Sequence, residues 1–154
     1  MIYYQGYTVS FQEVPDEVSL VILIGDCPFR CPGCHSPELQ RPEGKDLTQD
    51  IQRLIDEYGD AITCVCFMGE GQDPQALCRC AEYAVRRGYR TALYTGKDRH
   101  EAMKYRQWFH YIKCGSYVEA LGGLDSPTTN QRFYAIGNYT EVDMTWRFRK
   151  DFTQ

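Results

Sequence analysis

Apolar positions along this chain recur with two different periods, and the two alternate. Val18-Ser19-Leu20-Val21-Ile22-Leu23-Ile24 is β-branched and nearly continuous in its apolar character, the pattern of a strand covered on both faces, and it stops at Gly25. From Leu47 the period lengthens. Leu47, Ile51, Leu54, Ile55 and Tyr58 fall at helical spacing, with Asp50 in the first turn and Gly59 placed to end the helix. Ala61 to Met68 predicts a second strand, a turn follows through Gly69, Gly71 and Asp73, and Pro74 opens a second helix that runs to near Gly88. Thr91 to Tyr94 and Tyr111-Ile112-Lys113 predict two further short strands, and Arg132 to Ile136 a last one. Ahead of them all, Ile2 to Val14 reads as a hairpin turned at Gln5-Gly6, while Gly122-Gly123 and Ser126-Pro127 mark loops.

Alternating strands and helices are the signature of βαβ units around a mainly parallel sheet, so the fold class is α/β. At about 30 or more residues per unit the chain has room for about four or five such strands, and an eight-stranded barrel cannot close. One domain spanning 1–154 is expected, with no internal repeat, linker or low-complexity tract.

Composition narrows the function classes. Hydrophobic residues make up 43% and charged residues 25%, which suits a folded domain and not a disordered one. The longest apolar run, Leu20 to Ile24, falls far short of the roughly 18 residues of a membrane-spanning helix. Met1 to Gly6 has neither the basic lead nor the apolar stretch of a secretory signal, so a cytoplasmic protein without a membrane partner is expected. The net charge of −4 argues against a nucleic-acid partner, and Arg147-Phe148-Arg149-Lys150, the one compact basic group, reads as a solvated terminus.

Eight cysteines in a reducing compartment point to metal binding, redox chemistry or burial before disulfides. Three of them, Cys27, Cys31 and Cys34, lie in Cys27-Pro28-Phe29-Arg30-Cys31-Pro32-Gly33-Cys34-His35 at spacing C-x3-C-x2-C, on the loop after the buried strand. Pro28, Pro32 and Gly33 disfavour regular structure and let the backbone wrap a compact object. Thiolates are soft ligands suited to iron–sulfur clusters or zinc. A four-iron cluster on three thiolates keeps one iron open, as a catalytic centre needs; zinc would require a fourth ligand such as His35 or Cys114. An electron-transfer cluster usually has four cysteine ligands, so a non-catalytic iron–sulfur or zinc module is the alternative class.

Cys64 and Cys66 share one face of a strand, and Cys78 and Cys80 point to different sides of a helix. Neither pair has zinc-site spacing, and burial as small hydrophobes is the expectation for both. Cys114, where a loop leaves a short strand, is expected to be an ordinary thiol and not a redox-active one. His100 and His110, on a polar stretch, read as surface residues.

The C-x3-C-x2-C spacing resembles that of the radical S-adenosylmethionine superfamily. More narrowly, the chain resembles the anaerobic ribonucleoside-triphosphate reductase activating proteins, through Cys31 to His35, Gly69 after the second strand, Tyr94-Thr95-Gly96, Leu121-Gly122-Gly123-Leu124 and Thr129-Asn130-Gln131-Arg132. That resemblance implies a partial, open β/α barrel of mainly parallel strands. It also implies a [4Fe-4S] cluster on Cys27, Cys31 and Cys34 and S-adenosyl-L-methionine as the second cofactor. Reductive cleavage of S-adenosylmethionine would then yield a 5′-deoxyadenosyl radical that installs a glycyl radical on the large catalytic subunit of the anaerobic reductase.

A reduced flavodoxin-like protein is the electron donor the resemblance implies, and activation of another glycyl-radical enzyme such as pyruvate formate-lyase is the runner-up activity. By the same analogy Gly33, Cys34 and His35 lie against S-adenosylmethionine, and Thr95-Gly96 approaches its ribose or methionyl part. The turn after the second strand, with two adjacent glycines in the family, would receive the cofactor's amino group. Here it is Met68-Gly69-Glu70-Gly71, so Gly69, Glu70 and Gly71 are the candidates, with Glu70 standing between the glycines. Asn130-Gln131-Arg132 is a candidate for partner contact or structural capping. Independently of the family, a barrel this small has no residues to spare for a lid, so its site should lie open to an inserted loop of a partner protein.

Overall fold

A computed structural model describes residues 1–27, 31 and 37–149. Its strands are β1 (Tyr3–Ser10), β2 (Ser19–Ile24), β3 (Lys45–Asp46), β4 (Cys64–Met68), β5 (Arg90–Tyr94), β6 (Tyr111–Cys114), β7 (Arg132–Ile136) and β8 (Glu141–Asp143). The α-helices are α1 (Leu47–Tyr58), α2 (Pro74–Arg86) and the single turn α3 (Arg99–Ala102), which continues as a 3₁₀ helix over Met103–Trp108.

The strands form one open sheet in the order β3-β1-β2-β4-β5-β6-β7-β8. The four central strands, β2, β4, β5 and β6, run parallel. Both flanks are antiparallel: β1 joins β2 and β3 on one side, and β7 joins β6 and β8 on the other. The sheet is therefore mixed and eight-stranded, not a mainly parallel one of four or five strands. The expectation counted only strands that need a helical crossover, whereas antiparallel neighbours need none.

The expected hairpin over Ile2 to Val14 is replaced by a single strand. Gln5-Gly6 sits at a bulge in β1, where the register to β2 shifts between Tyr4 and Gly6, and the chain turns back only after Ser10. An extra residue in a ladder and a turn draw on the same residue types, which is why the two read alike in sequence.

Helix α1 begins where Asp46 accepts a hydrogen bond from Thr48 N at 3.0 Å and ends at Gly59, whose φ is +49°. Helix α2 begins with Asp73 accepting from Ala76 N at 3.1 Å, followed by Pro74. Leu47, Ile51, Leu54 and Ile55 of α1 and Leu77, Cys80, Ala81 and Ala84 of α2 are buried on one face of the sheet. There they meet Leu20, Ile22, Val65, Phe67, Leu93 and Ile112 in the main core. The alternate strand residues, Val21, Cys64, Cys66, Ala92 and Phe133, form a second, smaller core on the inner face. That face is covered by Val14, Leu124, Met144 and Phe148.

The basic segment near residue 147 does not float in solvent. Arg147 Nη1 and Nη2 donate to the two carboxylate oxygens of Asp16 at 3.1 and 3.0 Å, and the Phe148 ring packs 5.0 Å from that of Phe133. Among the described residues no helix is long and apolar enough to cross a membrane.

Candidate functional site

A parallel strand delivers its loop at its carboxyl end, and in open α/β sheets ligands gather there. Here β2, β4, β5 and β6 end together around a cavity of about 450 Å³. Ile24, Met68, Tyr94 and Lys113, each at or near its strand's end, line it, together with Leu39, Leu124 and Phe148.

Cys27 and Cys31 stand on its wall, both half-buried. The loop that carries them is anchored at its base. Gly25 N donates to Tyr3 O at 2.9 Å, Asp26 N to Arg41 O at 2.7 Å and Cys27 N to Leu39 O at 2.8 Å. Gly25 is required by close approach, because a Cβ there would lie 2.7 Å from Glu43 O. Asp26 turns the chain with φ +58°, and its carboxylate accepts from Gln72 Nε2 at 3.0 Å.

Gly33, Cys34 and His35 lie outside the described residues. Among the described residues no three His, Cys, Asp or Glu side chains form a metal-binding group. Two thiols on one loop, facing a cavity at the strand ends, nevertheless have the donor chemistry that a thiolate-held iron–sulfur group requires.

Of the other expected residues, Gly69 and Thr95-Gly96 line the cavity and Glu70 and Gly71 are not among its lining residues. Gly69 has φ +109° and donates its N–H to Tyr94 O at 2.9 Å, which ties the β4 turn to the end of β5. Gly71 (φ +63°) instead packs beneath the turn, where a Cβ would meet Ile24 Cγ2 at 3.3 Å and Ile2 Cγ1 at 3.4 Å. Glu70 is buried, with Oε2 accepting from Thr95 Oγ1 at 2.5 Å and Oε1 paired with Lys97 Nζ at 2.9 Å. That hydrogen bond to Glu70 raises the Lys97 pKa above the ordinary lysine value.

No family model, curated protein or solved structure matches this chain. The chemistry of the site is therefore read from its own side chains.

Among the described residues the remaining cysteines, Cys64, Cys66, Cys78, Cys80 and Cys114, do not line the cavity. Cys114 is buried on the helix-covered face, and burial raises its pKa. Cys64 and Cys66 are fully buried on the inner face, where desolvation pushes Cys64 up to about 12 and Cys66 well above the ordinary value. Burial raises Cys78 in the same way and pushes Cys80 up to about 11. Thiols held protonated are poor ligands and poor nucleophiles.

His100 and His110 are exposed, as expected, and His110 Nδ1 accepts from Thr91 N at 3.0 Å. The late polar run acts largely as a brace. Asn130 Nδ2 donates to Ser116 O at 3.0 Å, and the buried Gln131 donates from Nε2 to Gly115 O at 3.4 Å while lining the cavity.

Two cavity residues escaped the sequence reading. Lys113 is buried to 9% exposure and donates from Nζ to Gly115 O at 2.9 Å and Thr95 O at 3.3 Å. Its signal was present, a lysine inside the short apolar strand Tyr111-Ile112-Lys113-Cys114. Asp125 carried no comparable signal, since a loop aspartate is common. A second cavity of about 740 Å³, lined by Phe11, Glu13 and Arg147 among others, adjoins the first through Met68, Tyr94, Asp125 and Phe148.

Proposed function

We propose that this chain is a radical S-adenosylmethionine activase. It holds a [4Fe-4S] cluster on Cys27, Cys31 and Cys34 and uses a 5′-deoxyadenosyl radical to install a glycyl radical on the large subunit of an anaerobic ribonucleoside-triphosphate reductase. The observation that carries this reading is the meeting of Cys27 and Cys31 with Gly69 and Thr95 on one cavity at the carboxyl ends of the parallel strands. Three segments far apart in sequence, the loop after β2 and the turns after β4 and β5, converge there.

When bound, the cluster supplies one electron, taken from a flavodoxin-like donor, to break the carbon–sulfur bond of S-adenosylmethionine. The protein's part is binding and orientation. The Lys113 ammonium, held by the carbonyls of Thr95 and Gly115, gives the cavity wall a positive charge suited to a carboxylate. Gly69 and Gly96 let the backbone approach a ligand without side chains intervening. The sheet ends at two edges and does not close, which leaves room for a polypeptide loop of a partner to complete the enclosure.

The test is turnover by protein reconstituted anaerobically with iron and sulfide, reduced, and supplied with S-adenosylmethionine. Formation of 5′-deoxyadenosine and methionine is expected, with loss of the cluster in Cys27→Ala or Cys31→Ala and its retention in Cys64→Ala. An intact cluster that yields no 5′-deoxyadenosine overturns the proposal.

A further inference from the structure

The cavity of about 740 Å³ adjoins the first one, and Met68, Tyr94, Asp125 and Phe148 stand in the walls of both. Its remaining wall comes from the connection between β1 and β2, through Phe11, Glu13 and Asp16, and from Arg147 in the late 3₁₀ segment. These pieces are tied together. Arg147 donates to both carboxylate oxygens of Asp16, and Tyr94 Oη donates to Glu13 O at 2.6 Å, which fixes the β1–β2 connection to the end of β5. The groove is built before anything enters it, so little ordering cost falls on binding.

Its charge is one-sided. Three carboxylates, those of Glu13, Asp16 and Asp125, belong to its lining against the one guanidinium of Arg147, and Asp16 takes that guanidinium. Glu13 Oε2 is a buried carboxylate oxygen with no hydrogen-bond partner, so its charge is not satisfied within the fold. Phe11 lines the same cavity at 72% exposure and offers apolar surface beside the acidic one.

We infer that this second cavity is the docking groove for the partner's polypeptide segment, and that it selects a segment with a lysine or arginine near the target glycine, seated against Glu13. This rests on the proposed activase function and names the surface and the side-chain chemistry by which the partner is held. A glycine inside a chain reaches the first cavity only with its neighbours attached on both sides, so the segment needs a space that leads away from the reacting position. The adjoining cavity provides that space. Its acidic lining favours a cationic side chain, and Phe11 favours an apolar one next to it.

The test follows glycyl-radical formation by electron paramagnetic resonance, with the reconstituted holoprotein and increasing amounts of the large subunit of the anaerobic reductase. Glu13→Gln is expected to raise the half-saturating large-subunit concentration about tenfold, Glu13→Lys further, and Phe11→Ser about fivefold. Added salt should weaken the parent more than Glu13→Gln, since only the parent has the charge to screen. Neither residue lines the first cavity, so 5′-deoxyadenosine formed without the large subunit should be unchanged in all three variants. The basic residue that meets Glu13 is the one whose replacement by glutamate on the large subunit is rescued by Glu13→Lys.

An unchanged half-saturating concentration in folded Glu13→Lys, or an equal salt response in the parent and Glu13→Gln, overturns the inference. So does a loss of partner-free 5′-deoxyadenosine in folded Glu13→Lys, which would put Glu13 in the cofactor site. A parent holoprotein that forms no 5′-deoxyadenosine, or no glycyl radical on the large subunit, would instead overturn the proposed function. Thermal melts establish folding, and if Glu13→Lys does not fold, unchanged half-saturation in both Glu13→Gln and Phe11→Ser overturns the inference.

Discussion

Cys64 and Cys66 project from β4 onto the inner face of the sheet, with no measurable exposure, and the protein holds both as neutral thiols. This has a consequence for stability at high pH. Burial raises the folded pKa of Cys64 from the ordinary 9.0 to about 12, so between those values the unfolded chain releases a proton that the folded one keeps. The stabilisation is fully present below pH 9.0 and is lost as the pH rises toward about 12. Buried Tyr94, whose pKa is raised by the same desolvation, adds to the effect from a higher starting point. The melting temperature is therefore expected to fall steeply above pH 9, and the fall should be shallower in the double variant Cys64→Ala, Cys66→Ala. An alkaline limb unchanged in that variant would show that the two thiols are ionised in the fold.

At this scale the sequence disclosed more about cysteines than about charges. The sequence set Cys27, Cys31 and Cys34 apart from the other five thiols by their spacing and their prolines, because a loop interrupted by proline can wrap a ligand and a strand or helix cannot. The partnership of Glu70 with Thr95 and Lys97 could not be read. It depends on two turns that are brought together only when β4 and β5 pair, and the sequence holds no record of which buried carboxylate meets which hydroxyl.

Among the elements, α1 and α2 lie where hydrophobic period and capping residues put them, from Leu47 to Tyr58 and from Pro74 to Arg86. The caps carry testable energy. Asp46→Ala, which removes the acceptor for Thr48 N, is expected to cost about 1 kcal/mol, read as a loss of a few degrees in melting temperature.

The short antiparallel elements were harder to foresee. Strand β8 has only three residues, and the 3₁₀ segment Thr145–Phe148 gains its place from contacts across the molecule and not from local propensity. The Arg147 clasp on Asp16 holds that segment. The bidentate hydrogen bond from Arg147 keeps the Asp16 carboxyl below its usual pKa, so the clasp is present above the unfolded carboxylate value and is lost as the pH falls through the lower folded one. Chymotryptic cleavage at Trp146 and Phe148 is expected to be several-fold faster in Arg147→Met than in the parent at neutral pH, and the difference should vanish in acid. Equal cleavage rates at neutral pH would show that Phe148 packing alone secures the segment.

At the scale of the whole molecule, four parallel strands set the direction of the site and two antiparallel flanks widen the sheet without closing it. The class of fold and the edge that carries the site were legible from alternating periods and from a cysteine loop that follows a buried strand. The flanks were not, because pairing direction for a short strand is set by what lies beside it. An open sheet with a cavity at its strand ends is also what gives the proposed activity its direction, toward a partner that inserts a loop rather than a small substrate needing full enclosure.

The activase claim is most directly tested by electron paramagnetic resonance on the reduced, reconstituted protein mixed anaerobically with S-adenosylmethionine and the large subunit of an anaerobic ribonucleoside-triphosphate reductase. A glycyl-radical doublet that requires the parent protein and is absent with Cys31→Ala is the predicted result. No doublet on the reductase while 5′-deoxyadenosine accumulates, or a doublet only when pyruvate formate-lyase is supplied in its place, would contradict it.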